Sequence, residues 1–94
     1  MQKIEILVVG KHPEIMKIIL RLINNKPEWS GNAAFSVDEA VELSGKINFN
    51  VVLLGAGVDE EESNLLKANF KVPVVQHYGG GSGLLYAEIY QALG

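Results

Sequence analysis

The sequence predicts an α/β domain in which helices cover both faces of a four-stranded parallel sheet, forming a three-layer sandwich. Two observations support this prediction. Short aliphatic runs alternate with segments whose apolar residues recur at helical spacing. The first run, residues 4–9, is almost continuously aliphatic, as expected of a strand that is buried on both faces. We expect a single domain over residues 1–94, because this length lies near the lower end of the usual domain size.

The first strand and helix are the most clearly marked. Pro13 follows the strand Ile4–Val9 at a position where a helix tolerates a residue without an N–H group. The run at residues 24–27, which contains a proline, predicts the end of this helix. The spacing predicts one apolar stripe that packs on the sheet, formed by Ile15, Ile18, Ile19, Leu22 and Ile23.

The second strand, predicted over residues 30–35, is short, begins with polar residues and contains Gly31, which is typical of an edge strand. Ser36 is followed three residues later by Glu39, a capping-box pattern that predicts the start of a helix. We expect Trp29 to lie in the preceding loop and to cover one end of the sheet. The second helix should turn small residues inward, namely Val37, Ala40, Val41 and Ser44.

The third strand is predicted over residues 50–54 and the fourth over residues 72–75. Asp59 and the three glutamates after it indicate the start of a helix, whose positive N-terminal end favours acidic residues. Pro73 cannot donate to a sheet ladder, so the fourth strand should lie at an edge. The last helix should begin near Ser82 and bury Leu85, Ile89, Ala92 and Leu93, with Tyr86 and Tyr90 at the margin of the core.

Composition argues against several classes of function. The net charge of −3 and the scattered Lys and Arg residues provide no basic stripe for nucleic acid. The absence of cysteine excludes disulfides and thiolate chemistry, and it suits a cytoplasmic protein. The apolar run near the N-terminus is too short to span a membrane. We therefore expect a cytoplasmic domain that binds neither nucleic acid nor membrane and that uses no cofactor.

The order of the segments resembles the receiver domains of bacterial response regulators. The segments that support the resemblance are residues 6–9, 12–13, 38–43, 50–54, 72–75 and 84–89. The resemblance implies a flavodoxin-like fold with strand order 2-1-3-4, about four helices and a role in two-component signalling. It also implies a truncated domain, because the glycine-rich residues 79–83 lead from the fourth strand directly into what resembles the last helix of the family. The family's fourth helix and fifth strand are then missing.

Residues that the family uses for phosphorylation are absent at the matching positions. Gly10 and Lys11 occupy the place of the acidic pair that would hold Mg²⁺, and Gly55 occupies that of the phosphate-accepting Asp. Tyr78 matches the hydroxyl residue expected near the end of the fourth strand, and the lysine after the fifth strand has no counterpart. The resemblance therefore implies a pseudo-receiver, a non-catalytic and phosphorylation-independent module for signalling or protein interaction.

Loss of the last strand would leave the fourth strand as an open edge. An unpaired apolar strand invites pairing with a second copy about a two-fold axis. We therefore predict a homodimer, with a further protein partner as an additional possibility. The predicted dimer edge consists of Val72, Val74, Val75 and Gln76.

The alternative hypothesis is a domain that binds a small anion or nucleotide through its glycine-rich loop, since N–H groups at a helix start bind anions. Its candidate residues are Lys11, His12, His77, Gly79, Gly80, Gly81 and Ser82. The loop matches neither a Walker motif nor a dinucleotide fingerprint, and a flexible connector is the simpler interpretation. The two histidines could also form a polar pocket with Lys11 and residues 59–62, but no catalytic or metal-binding spacing is present.

The phosphocarrier domains of sugar-uptake systems, which also have a four-stranded parallel sheet, are a further alternative. Those domains carry a phosphorylated Cys or His just after the first strand. His12 lies close to that position, but the chain has no cysteine and no anion-binding loop follows residues 9–11. Similarity of fold alone transfers function in neither direction.

Overall fold

The computed structural model describes residues 3–77, 79 and 81–94, and it confirms the predicted α/β architecture. All strand pairings in this part of the chain are parallel, in the order β2-β1-β3-β4, so the predicted order and both edge strands are correct. The elements are β1 (Ile4–Val9), α1 (Pro13–Asn24), β2 (Trp29–Ala34), α2 (Val37–Ser44), β3 (Val51–Leu54), α3 (Glu60–Asn69), β4 (Val74–Gln76) and α4 (Ser82–Leu93).

The two central strands are buried on both faces. Residues 6–9 of β1 and all of β3 are at most 1% exposed. Alternate side chains point to opposite faces of the sheet. One set packs with α1 and α4, as Ile6, Val8 and Leu53 do. The other set packs with α2 and α3, as Leu7 and Val9 do. The three-layer sandwich follows from this alternation.

The apolar stripe predicted for α1 is only partly correct. Met16, Ile19 and Ile23 are buried, but Ile15 is 44% and Ile18 is 50% exposed. The helix packs mainly along β2, at the edge of the sheet, so its contact is narrower than its apolar surface. Two isoleucines are therefore left uncovered on the side that faces α4.

The inner face of α2 is also narrower than predicted. Ala40 is buried and Val37 packs against the core, but Val41 is 39% exposed. The helix has only eight residues, so its turns offer few positions that face the sheet. None of the described helices combines the length and the apolar character that crossing a membrane requires.

The predicted strand boundaries shift by one or two residues. Trp29 is the first residue of β2 and is 1% exposed, so its assignment to a loop is wrong. It pairs with Ile4 in the sheet and packs against Tyr86 and Tyr90 of α4, at ring centroid distances of 5.7 and 5.0 Å. Burial of this large ring against α4 draws it into the core.

The third and fourth strands begin later than predicted. Asn50 precedes β3 and forms two hydrogen bonds with Glu5. The backbone N–H of Asn50 donates to the carbonyl of Glu5, and the side-chain oxygen of Asn50 accepts from the N–H of Glu5. The carbonyl of Pro73 accepts from the N–H of Val52 at 2.9 Å, but β4 begins at Val74. Proline has no N–H group with which to extend the ladder.

Side-chain caps define the starts of α2 and α3. The hydroxyl of Ser36 accepts from the N–H of Glu39, as predicted, and the Glu39 carboxylate accepts from Phe35 rather than from Ser36. A reciprocal capping box joins Asp59 and Glu62 at the start of α3. These caps place the N-termini of both helices near the carboxyl ends of the strands.

Adjacent leucines of α3 provide a test of the packing. Leu66 is fully buried, whereas Leu65 is 46% exposed. We expect Leu66→Ala to lower the free energy of unfolding by about 2–5 kcal/mol, because it removes buried contacts and leaves a cavity. Leu65→Ala should change it by less than about 0.5 kcal/mol. Urea denaturation measures both values, and equal losses would contradict the described orientation of α3.

Candidate functional site

Loops at the carboxyl ends of the strands meet at one edge of the sheet. Backbone hydrogen bonds extend the pairing of the strands into these loops. The N–H of Gly55 donates to the carbonyl of Val9 at 2.7 Å, and the N–H of His77 donates to the carbonyl of Leu54 at 2.9 Å. The N–H of Lys11 donates to the carbonyl of Ala56 at 3.0 Å. In open α/β sheets ligands bind at this edge, so its side chains decide what the domain can do.

The side chain of Met16 closes the space beside the first and third strands. Met16 is 2% exposed, and a Cβ atom built on Gly10 would lie 2.7 Å from its sulfur. A Cβ atom on Gly55 would lie 3.8 Å from the same sulfur. The thioether thus lies over Gly10 and close to Gly55, the positions at which the family resemblance places acidic side chains. An apolar group therefore lies beside both positions.

Lys11 is directed towards α3. Its Nζ lies 2.7 Å from Oε2 of Glu62. The hydrogen bond from Lys11 lowers the pKa of Glu62 below its usual value. The bond from the backbone N–H of Asp59 lowers this pKa further, by a smaller amount. Gly57 has a φ of +91°, and a Cβ atom there would lie 2.6 Å from Cβ of Lys11, so only glycine fits. The first carbons of the Lys11 side chain therefore pack directly against the backbone of Gly57.

His77 forms the most buried polar contact of the edge. Its Nδ1 lies 2.5 Å from Oε1 of Glu88, and the two side chains are 8% and 15% exposed. Sequence reasoning missed Glu88. Its position in the sequence could have indicated this contact. Glu88 lies on α4 between the buried residues Leu85 and Ile89, at the spacing of the buried stripe. A carboxylate on such a stripe needs a polar partner.

Lys11 and His77, two of the residues predicted for a polar pocket, pair with different carboxylates. His12 is exposed and precedes α1, and its side chain forms no capping hydrogen bond. No hydrogen bond or ion pair joins Lys11, His12 and His77 within the described residues. The same part of the chain contains no group of three His, Asp or Glu side chains that could hold a metal ion. The structure therefore does not assemble these residues into one constellation.

The glycine-rich loop is described only in part, because Tyr78 and Gly80 lie outside the described residues. Gly79 and Gly81 have φ values of +92° and +91°. Gly81 is the N-cap of α4, and Ser82 is the first residue of that helix. No side chain caps this helix start within the described residues.

The open edge of β4 is short. Pro73 accepts from β3 and His77 donates to β3, so the backbone groups of Val74 and Gln76 point away from the sheet. The side-chain amide of Gln76 donates to the carbonyl of Leu54 at 3.2 Å, which turns that side chain back over the sheet. All four residues of the predicted dimer edge, including Val72 and Val75, are half-buried.

Solved structures share this architecture. Chemotaxis protein CheY4 of Vibrio cholerae matches with a TM-score of 0.70 and 12% identity over 97% of this chain and 99% of that chain. The receiver domain of NarL from Mycobacterium tuberculosis matches at 0.64 and 15% identity over 100% and 99%. HP1043, an orphan response regulator of H. pylori, matches at 0.67 and 13% identity over 97% of each chain. The chain has the receiver-domain fold.

The receiver fold is shown by the structural comparison alone. No protein-family model and no curated protein matches the sequence. Identities of 12–15% establish a common architecture and leave function to the residues of the site.

Lys11→Met tests the ion pair with Glu62. We expect the pKa of Glu62 to rise towards its usual value in this variant, and to stay lowered in part by the N–H of Asp59. A carboxylate whose pKa is lower in the folded chain stabilises the fold above its unfolded pKa, and this contribution is lost as the pH falls through the folded pKa. Wild type should therefore exceed the variant in stability near neutral pH, and the difference should shrink in acid.

NMR titration of the Glu62 carboxyl and urea denaturation across the acidic range measure the two effects. Lys17→Met is the matched control, because Lys17 is an exposed residue of α1 without an ion pair in the described chain. An unchanged pKa of Glu62 in Lys11→Met would contradict the pairing.

Proposed function

We propose that this chain is a receiver-like interaction module that works without phosphorylation. The principal support is the sulfur of Met16, which lies over Gly10 and near Gly55. Mg²⁺ requires hard oxygen ligands, and phosphoryl transfer to a receiver requires an acceptor carboxylate. A thioether and two glycines supply neither, so this edge of the sheet lacks the chemistry of an active receiver.

The charge beside the site supports the same conclusion. Lys11 occupies the second position of the acidic pair, and its ammonium is held by Glu62. A lysine side chain has no oxygen with which to ligate Mg²⁺. The competing hypothesis of anion or nucleotide binding through Lys11, His12 and the glycine-rich loop also loses support, because the Lys11 ammonium is already paired with Glu62.

We infer that the domain is shortened internally, between β4 and α4. Matches to receiver structures extend over nearly the whole of both chains, which supports loss of an internal unit rather than of one end. Five residues separate β4 from α4. In this interpretation they replace the fourth helix and the fifth strand of a receiver, and β4 becomes an edge.

We propose that the edge of β4 forms a homodimer. Val74 and Gln76 present their backbone donors and acceptors outward, and pairing with a second copy about a two-fold axis would satisfy them. The strand has only three residues, so the hydrogen bonds are few. The half-buried Val72 and Val75 would supply the apolar part of the contact.

Acetyl phosphate with Mg²⁺ tests the phosphorylation-independent proposal. Intact mass spectrometry should show no phosphoryl adduct on the native chain, while an active receiver treated in parallel gains one. Gly55→Asp restores an acceptor, and its Cβ atom has room because the nearest atom, the carbonyl oxygen of Val9, is 3.5 Å away. We expect no adduct on this variant either, because Gly10 and Lys11 supply no carboxylate for Mg²⁺.

Labelling of the native chain would refute the proposal. Labelling of Gly55→Asp alone would show that the acceptor is the missing part and that a cation site persists.

Val74→Pro tests the dimer. The substitution removes an N–H that points away from β3, at the first position of the strand, where proline is tolerated. Each dimer would lose two hydrogen bonds, about 1–3 kcal/mol in total, which weakens association by roughly fivefold to 150-fold. Val74→Ala, which keeps the N–H, is the control. Light scattering coupled to gel filtration measures both, and a native chain that stays monomeric at high concentration would contradict the dimer.

A further inference from the structure

The sheet has a second edge strand, β2, which is longer than β4. It has six residues, whereas β4 has three, so it offers the longer template for pairing with another strand. The N–H of Ile4 donates to the carbonyl of Glu28, and successive residues of a strand turn their backbone groups to opposite sides. The backbone groups that point away from β1 therefore belong to Trp29, Gly31 and Ala33.

The end of α1 supplies acceptors to this outward row. The N–H of Gly31, in the middle of the row, donates to the side-chain oxygen of Asn24 at 2.9 Å. The N–H of Trp29 donates to the carbonyl of Lys26 at 3.0 Å. Asn24 is the last residue of α1, so the side chain that occupies the edge comes from a neighbouring element and not from the strand itself.

Close packing of α1 on β2 makes the Asn24 contact possible. A Cβ atom built on Gly31 would lie 3.0 Å from Cγ2 of Ile23 and 3.2 Å from Cδ2 of Leu20. Both distances are shorter than ordinary van der Waals contact, so a larger residue would press the helix away from the strand. Glycine at this position therefore keeps Asn24 within hydrogen-bonding distance of the edge.

A second side chain closes the carboxyl end of β2. Oε1 of Glu39 accepts from the N–H of Phe35, the next outward position in the alternation, at 2.6 Å. Among the described residues, Ala33 is then the one outward position of residues 29–35 whose N–H has no partner. Strand pairing requires a row of free donors, and a single N–H does not provide one.

The other edge of the sheet lacks such acceptors. The outward N–H groups of β4 belong to Val74 and Gln76, and no side chain of the described residues accepts from either. The side-chain amide of Gln76 turns inward to the carbonyl of Leu54. The longer edge is therefore closed to an extended strand, and the shorter edge is open.

We propose that Asn24 and Glu39 exclude β2 from strand pairing, so that a second copy of this chain adds only at β4. Contact between β2 of one copy and β4 of the next would join unlike surfaces, and such contacts repeat as an open fibre. Contact between two β4 strands joins like surfaces and closes at two copies. This closure rests on the proposed β4 dimer, whereas the exclusion of β2 does not depend on it.

The double variant Asn24→Ala/Glu39→Ala tests the exclusion in the full chain. It leaves the residues of β2 unchanged and removes both side-chain acceptors. Light scattering coupled to gel filtration should give a mean mass at least about twofold above that of the native chain, because β2 can then pair. The mass should also increase with protein concentration. A mass equal to that of the native chain would overturn the proposal.

Two control variants distinguish the loss of these acceptors from a general effect of substitution. Asn24→Asp/Glu39→Gln keeps an acceptor oxygen at both positions and should retain the native mass. Asn25→Ala/Glu42→Ala changes exposed residues near by whose side chains form no hydrogen bond within the described chain, and it should also retain the native mass. An increased mass of either control would overturn the assignment, and circular dichroism confirms that each variant folds.

Val74→Pro distinguishes edge pairing from aggregation of unfolded chains. Added to the double alanine variant, it blocks β4 and should limit association to pairs that are joined through β2. Larger particles that persist in this triple variant would overturn the proposal. A native monomer together with an associating double variant would refute the β4 dimer and support the exclusion of β2, and a native dimer with an unchanged double variant would do the reverse.

Discussion

Burial of β1 and β3 on both faces is the constraint on which the rest of the structure depends. Because residues 6–9 and 51–54 are at most 1% exposed, each face of the sheet must be covered by a pair of helices. Polar side chains have no place within these strands and gather where the strands end. A chain segment of 94 residues has little surface beyond those ends and the outer faces of its helices. Its chemistry is therefore confined to one edge and to whatever the helices leave uncovered.

The same packing accounts for the character of that edge. Met16 belongs to the buried face of α1, and glycine at position 10 lets its sulfur approach the end of β1. Glycine at position 57 likewise admits the stem of Lys11, whose charge is then neutralised at the start of α3. The proposed function rests on this distinction, since the receiver fold depends on aliphatic burial and phosphorylation chemistry would depend on a few charged positions.

The order and type of the elements could be predicted from the sequence because strand and helix periods are local properties. The positions of Trp29, Ile18 and Glu88 could not be predicted in the same way. Whether Trp29 enters β2, and whether Ile18 is covered, depends on how closely α4 approaches α1 across the sheet. The pairing of Glu88 with His77 depends on the rotation of α4 relative to the end of β4, which the helical period does not define. Short strands such as β4 also shift at their ends when one residue lacks an N–H group.

Titration with Mg²⁺, followed through the backbone amides of Gly10, Lys11 and Gly55, tests the central claim most directly. If the thioether of Met16 and the Lys11–Glu62 pair occupy the position of the cation site, these amides show no saturable change as the Mg²⁺ concentration is raised at constant ionic strength. A saturable shift confined to these residues would show that the carboxyl edge still binds a divalent cation, and it would contradict the account of a receiver fold without receiver chemistry.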